Sequence, residues 1–110
     1  MDPSLLCPRF EKSVDVISKR WTILVIYQLL SGTQRFCAME AALPISGRVL
    51  SERLKGLERE GIVKREVFPE TPVRIEYSLT DKGRALEPVI VELGKWSQDW
   101  IEIEGNTTNP

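Results

Sequence analysis

Residues 46–79 read SGRVLSERLKGLEREGIVKREVFPETPVRIEYSL. Set at about 100° per residue, Leu50, Leu54 and Leu57 fall on one side of a helix, and Arg48, Ser51, Glu52, Lys55 and Arg59 on the other. The leucines have to be buried against other helices. The opposite face is long, polar and mostly cationic, and a major groove is wide enough to receive it. Ser46 is a suitable N-cap, because its hydroxyl can accept from a free amide of the first turn. Gly61 stops the helix. A solvated charged face that binds nothing is the plain alternative for this helix taken alone. The next residues weigh against it. Segments 62–67 (IVKREV) and 73–79 (VRIEYSL) alternate apolar and polar residues, as half-buried strands do. Between them, Pro69 and Pro72 cannot donate ladder hydrogen bonds and so belong to a hairpin tip. A basic helix running at once into a basic hairpin supplies a groove reader and a backbone clamp. The candidate DNA contacts are Ser46, Arg48, Ser51, Glu52, Lys55 and Arg59 on the helix, with Lys64 and Arg74 on the hairpin and Arg65 beside them.

The upstream segments supply support for that helix. Residues 8–18 place Phe10, Val14 and Ile17 on one helical face. Residues 21–30 (WTILVIYQLL) are apolar nearly all round, which predicts a buried central helix ended by Gly32. Arg35 and Phe36 suit a minimal strand, residues 37–43 a short helix, and Pro44-Ile45 the turn into Ser46. Thr80-Asp81-Lys82-Gly83 opens a last helix that kinks or restarts at Pro88. The fold class expected is mainly α with a small β-hairpin wing (α+β), a winged helix-turn-helix. One domain spans residues 1–104: N-terminal helices in 7–36, the helix-turn-helix in 37–60, the wing in 62–79 and a C-terminal helix in 80–104. A flexible tail is expected at 105–110.

Near its end the chain asks for a partner. Leu86, Val89, Leu93, Trp96 and Trp100 recur at heptad-like spacing, with Ile90, Ser97 and Ile101 beside them. At 110 residues the chain has one modest core, which is little to cover two tryptophans. The reading is a homodimer through the N- and C-terminal helices, with Phe10, Val14, Leu93, Trp96 and Trp100 at the interface. The alternative is packing within the subunit. Two-fold pairing would set two recognition helices ~34 Å apart, matched to an inverted-repeat operator.

The net charge of −1 argues little for nucleic acid, but its distribution does more. Residues 46–84 carry nine Lys/Arg against seven Asp/Glu, whereas residues 85–110 carry one Lys against five acids. The middle can approach phosphate and the end should stay away. With few phosphate contacts per subunit, useful affinity needs a dimer. No apolar run is long enough for a membrane span, and Met1-Asp2-Pro3-Ser4 lacks the basic start of a secretion signal. The expected place is therefore the cytoplasm, with no membrane partner. An enzyme is disfavoured: the chain has no histidine, no Gly-rich phosphate loop, no metal-ligand cluster and no nucleophile with a base in evident reach. No cofactor is implied. A winged-helix protein-interaction module remains as an alternative, since fold does not dictate function.

Several strings together carry a family resemblance: Cys7-Pro8, Lys19-Arg20-Trp21, Arg35-Phe36, Leu50-x-x-Arg53-Leu54-x-x-Leu57, Pro69-x-x-Pro72 and Tyr77-Ser78-Leu79-Thr80. From Cys7 to about Trp100 the chain resembles the HxlR family of bacterial winged-helix regulators, relatives of MarR. The resemblance implies a homodimeric transcription factor bound to double-stranded DNA, in many members a repressor. It places the chain near regulators that sense electrophiles or oxidants through the cysteine matching Cys7. Gly47 departs from the family pattern, where a polar side chain is common, and leaves specificity to Arg48, Ser51 and Glu52.

The cysteines differ in setting. Cys7 precedes Pro8, favoured at the first helical position, so its thiol stands at an exposed helix N-terminus, where the dipole favours thiolate, with Arg9 and Lys12 nearby. The alternative is an idle surface thiol. Cys37 neighbours Phe36 and Met39 and is expected to be buried and inert. Pairing of Cys7 with Cys37 of a second subunit cannot be deduced from sequence. Control by a bound ligand in an apolar pocket at the dimer seam is a further alternative to thiol chemistry.

Overall fold

The computed structural model describes residues 7–103. The expected tail at 105–110, Glu104 and the residues before Cys7 lie outside the described residues. Elements follow in the order α1 (Pro8–Ile17), α2 (Thr22–Leu29), β1 (Gln34–Arg35), α3 (Phe36–Ala42), α4 (Gly47–Arg59), β2 (Val63–Phe68), β3 (Arg74–Leu79), α5 (Asp81–Arg84) and α6 (Glu87–Trp100). This is a winged helix-turn-helix, mainly helical, with α4 as the second helix of the helix-turn-helix and β2–β3 as the wing. Among the described residues no helix is long and apolar enough to cross a membrane.

The core forms where the apolar stripes of α2 and α4 meet. Val25, Ile26, Leu29, Met39, Leu50, Leu54 and Leu57 are buried, joined by Ile62, Val63, Leu79 and Ile90. Leu50, Leu54 and Leu57 thus face inward, as their spacing requires. The Ser46 hydroxyl accepts from the Val49 amide at 3.2 Å and caps α4. At the other end Gly61 turns at φ +74°, a left-handed conformation that favours glycine and releases the chain toward β2. A second joint lies where α5 crosses the start of the wing. The Thr80 hydroxyl donates to the Gly61 carbonyl at 2.6 Å and accepts from the Gly83 amide. A Cβ at Gly83 would collide with the Ile62 carbonyl, so the helix can approach only without a side chain there.

Three expectations change. The sheet has three strands rather than two, in the order β1-β3-β2, all antiparallel. The minimal strand is Gln34–Arg35, with Gln34 opposite Tyr77 and Arg35 opposite Glu76, while Phe36 already begins α3. A two-residue strand has no periodicity to read, and the Gln34 amide, which donates to the Gln28 carbonyl at 2.8 Å, helps to anchor it. α2 is not buried all round: Leu24 is 41% and Tyr27 61% exposed. Its inward face is Thr22, Val25, Ile26 and Leu29; the other face has no element of the described chain over it. Cys37 is exposed, not buried. On α3 the inward residue is Met39, with Phe36 and Leu43 packed beside it. Adjacent residues on a helix point about 100° apart, so standing next to Phe36 does not put Cys37 on Phe36's face.

Candidate nucleic-acid interface

α4 presents its polar side to solvent because the leucine side is fully committed to the core. Arg48, Glu52, Lys55 and Arg59 are exposed, and Ser51 is half-buried at the edge of the arc. Arg48, Lys55 and Arg59 take part in no ion pair among the described residues. Ser46, also exposed, has its hydroxyl engaged as the α4 cap. Where the helix begins, a Cβ on Gly47 would press on the Glu40 carboxylate of α3. That is the movable end of a side chain, so a larger residue could be accepted there.

The wing cations are held differently. Lys64 lies 3.7 Å from Glu66 on its own strand. The Arg74 guanidinium meets Glu70 at 2.8 Å and also pairs with Glu76. It stacks 3.9 Å from the centroid of the Phe68 ring as well. The hydrogen bond from Arg74 holds the Glu70 carboxyl below its usual range, and the hydrogen bonds to Glu70 and Glu76 keep Arg74 charged well above its own. Arg65 is exposed and in no ion pair among the described residues.

Away from the reader, the C-terminal stripe is bare. Val89, Leu93, Trp96 (54%) and Trp100 (73%) are exposed, as are Phe10 and Val14 of α1. On α6 only Ile90 is buried, so among the described residues the rest of this stripe is not packed within the subunit. Between α1 and the start of α6 lies an apolar groove of about 430 Å³, lined by Phe10, Val14, Ile17, Ile62, Leu86 and Val89. Cys7 is half-buried rather than exposed. It forms the N-cap position of α1 with an extended backbone, and its side chain makes no capping hydrogen bond.

Three residues that sequence pattern does not assign to the interface adjoin it. The Arg53 Nε–H donates to the Arg20 carbonyl at 2.8 Å, tying α4 to the α1–α2 link that also holds Lys19. Helical spacing sets Arg53 on the flank between the apolar and polar arcs, but its partner lies 33 residues away, beyond any local signal.

The family model for the HxlR-like helix-turn-helix matches residues 16–105. The chain is 66% identical over 103 residues to the HTH-type transcriptional regulator YvaP of Bacillus subtilis, covering 93% of this chain and 95% of that one. It is 43% identical to the regulator YodB of the same organism, covering 88% of each. The reduced form of YodB superposes with a TM-score of 0.78 over 87% of this chain and 95% of that one. YodB has also been solved after diamide treatment and with quinone bound. The redox regulator HypR in its oxidised form, 36% identical, gives a TM-score of 0.80 over 88% of this chain and all of that one.

Proposed function

This chain belongs to the HxlR-like helix-turn-helix family of transcriptional regulators, and from that premise we propose that it is a repressor that binds an inverted-repeat operator as a homodimer and releases it when Cys7 reacts with an electrophile or oxidant. The observation that carries the DNA reading is the outer arc of α4. Arg48, Lys55 and Arg59 are exposed and free of ion pairs among the described residues, on a helix whose other side is locked into the core. Arg48, Ser51 and Glu52, on the first turns of the helix, read base edges; Lys55 and Arg59 contact phosphate. On the wing Lys64 and Arg74 serve as clamp, each exchanging a carboxylate for phosphate, and Arg65 needs no exchange. Ser46 contributes through the helix N-terminus that it caps.

The dimer reading is supported by the exposed Leu93, Trp96 and Trp100 of α6 with Phe10 and Val14 of α1. Large aromatic side chains left in water on the last helix are the composition of an interface core. Cys7 begins the helix that carries Phe10 and Val14. Chemistry at the thiol therefore acts on the subunit contact, and a small rotation there changes the spacing of the two readers. The diamide-treated and quinone-bound forms of YodB, a relative at this level of identity, favour thiol chemistry of this kind. A DNA-binding role places the protein in the cytoplasm.

The test is a salt-dependent gel shift on the chain's own upstream region with reduced and diamide-treated protein. Reduced wild type binds and diamide-treated wild type does not, while Cys7→Ser binds in both conditions. If Cys7→Ser still loses DNA on diamide treatment, the thiol role fails. A second reading, control by a bound apolar ligand, is favoured by the groove between α1 and α6. Undiminished induction in a Cys7→Ser, Cys37→Ser variant would select it.

A further inference from the structure

Beside the recognition helix, on the side of α1, a cleft of about 330 Å³ separates the flank of α4 from Asp15 and Lys19. We propose that Lys19, in the link between α1 and α2, is an additional phosphate-contacting residue that works with Lys55 and Arg59 across this cleft, and that Arg53 is the positioning residue that holds the link in place. The proposal rests on the DNA-binding reading of α4.

The link is set rather than loose. Arg53, half-buried, donates through Nε to the Arg20 carbonyl at 2.8 Å. The Arg20 guanidinium lies 4.4 Å from the centroid of the Trp21 ring. Trp21 itself adopts φ +78°, a left-handed conformation uncommon for a bulky side chain and kept only where the surroundings impose it. These three features fix the backbone immediately after Lys19 relative to α4.

The charges around the cleft then sort themselves. Of its acids, Glu60 is engaged by Lys12 at 3.2 Å. Asp15 and Glu52 remain, against Lys19, Lys55 and Arg59. These three cations are exposed and in no ion pair among the described residues. A helix lying in a major groove has a sugar-phosphate strand along each flank, because the groove is only about 12 Å wide. Lys19 stands across a cleft from the flank, off the groove-facing arc, and its ammonium is a point charge suited to a phosphate rather than to a bidentate base contact.

The experiment measures binding to an operator duplex and to an unrelated duplex over a range of salt. It compares the full chain with Lys19→Ala, Arg53→Leu and the double variant. Lys19→Ala replaces an exposed residue and leaves the fold intact, as an unchanged thermal midpoint will show. It should weaken binding to both duplexes by the same factor. Its plot of log K against log salt should be shallower by about 0.9 for each phosphate no longer neutralised. Arg53→Leu should give the same shallower slope although Lys19 is present. The double variant should be no worse than either single one, because both substitutions abolish the same interaction with phosphate. An unchanged slope for Lys19→Ala, or a loss confined to the operator, overturns the phosphate role. Additive losses in the double variant overturn the positioning role of Arg53. If the wild-type chain binds no duplex at any salt, the DNA reading itself falls and takes this inference with it.

Discussion

The recognition helix and the wing carry the same kind of cation in opposite states. On α4, Arg48, Lys55 and Arg59 project into solvent with no ion pair among the described residues. On the wing, Lys64 is paired with Glu66, and Arg74 is shared between Glu70 and Glu76 while stacked on Phe68. A phosphate approaching α4 displaces only water and counterions. One approaching Arg74 must compete with two carboxylates already in place. Basic composition alone therefore does not say which cations are available to a phosphate; the pairing state does. On the proposed reading, α4 meets DNA with its cations unpaired, whereas the wing has to give up ion pairs or use Arg65.

That contrast can be broken or sharpened in four ways. The largest effect is expected from removing the buried half of the reader. Leu54→Ala deletes a fully buried side chain and should cost about 2–5 kcal/mol of stability. That is a large part of a small domain's total, and denaturant unfolding will measure it. DNA binding should then fail because α4 loses its footing, although no cation was touched. Next comes Arg48→Ala, which should cost about 1–3 kcal/mol of operator binding and relax sequence preference if the residue reads a base edge. A uniform loss across sequences in competition gel shifts would instead make it a phosphate contact. Glu70→Gln should act in the opposite direction. It removes a negative charge from the wing tip and frees one side of Arg74, so binding should tighten, by less than Arg48→Ala weakens it. No gain in a titration at low salt would mean that Arg74 stays out of the interface. Smallest is the response to acid. Glu70 is held below its usual range by the Arg74 hydrogen bond, so between the folded and unfolded values the unfolded chain binds more protons. Its contribution to stability is present above the ordinary carboxylate range and is lost as pH falls through the depressed folded value. Thermal midpoints from about pH 6 to about pH 3 should fall more steeply in wild type than in Glu70→Gln.

Much of the fold was legible because it is written in local periods. The leucines of α4 recur with the helix repeat, Ser46 and Gly61 mark its ends, and the restart of the last helix follows from Pro88. The two wing strands follow from residue alternation and from two prolines at the tip, but burial does not follow that alternation: on β2 only Val63 is buried and Val67 is exposed, while on β3 every residue before Leu79 is half-buried. The strand Gln34–Arg35 lies one residue before the position that sequence suggests, and its place in the sheet leaves no local signal, because two residues hold no period. The sequence neighbours of Cys37 suggest burial, yet its helical face points out. On the site, the α4 arc could be read directly. The engagement of Arg74 could not, since Glu70, Glu76 and Phe68 converge on it only once the hairpin has closed.

By itself the amino-acid order determined which long segments would be helical or extended, where α4 starts and stops, and which of its faces is apolar. These follow from backbone geometry and side-chain spacing over a few residues, and need no knowledge of distant partners. Only the tertiary structure decided which cations are free and which are spent on carboxylates, and that Arg53 is tied to Arg20. It alone left Leu24 and Tyr27 of α2 uncovered. Burial and pairing are properties of elements brought together from far apart in the chain, and a local repeat carries no record of what will face it.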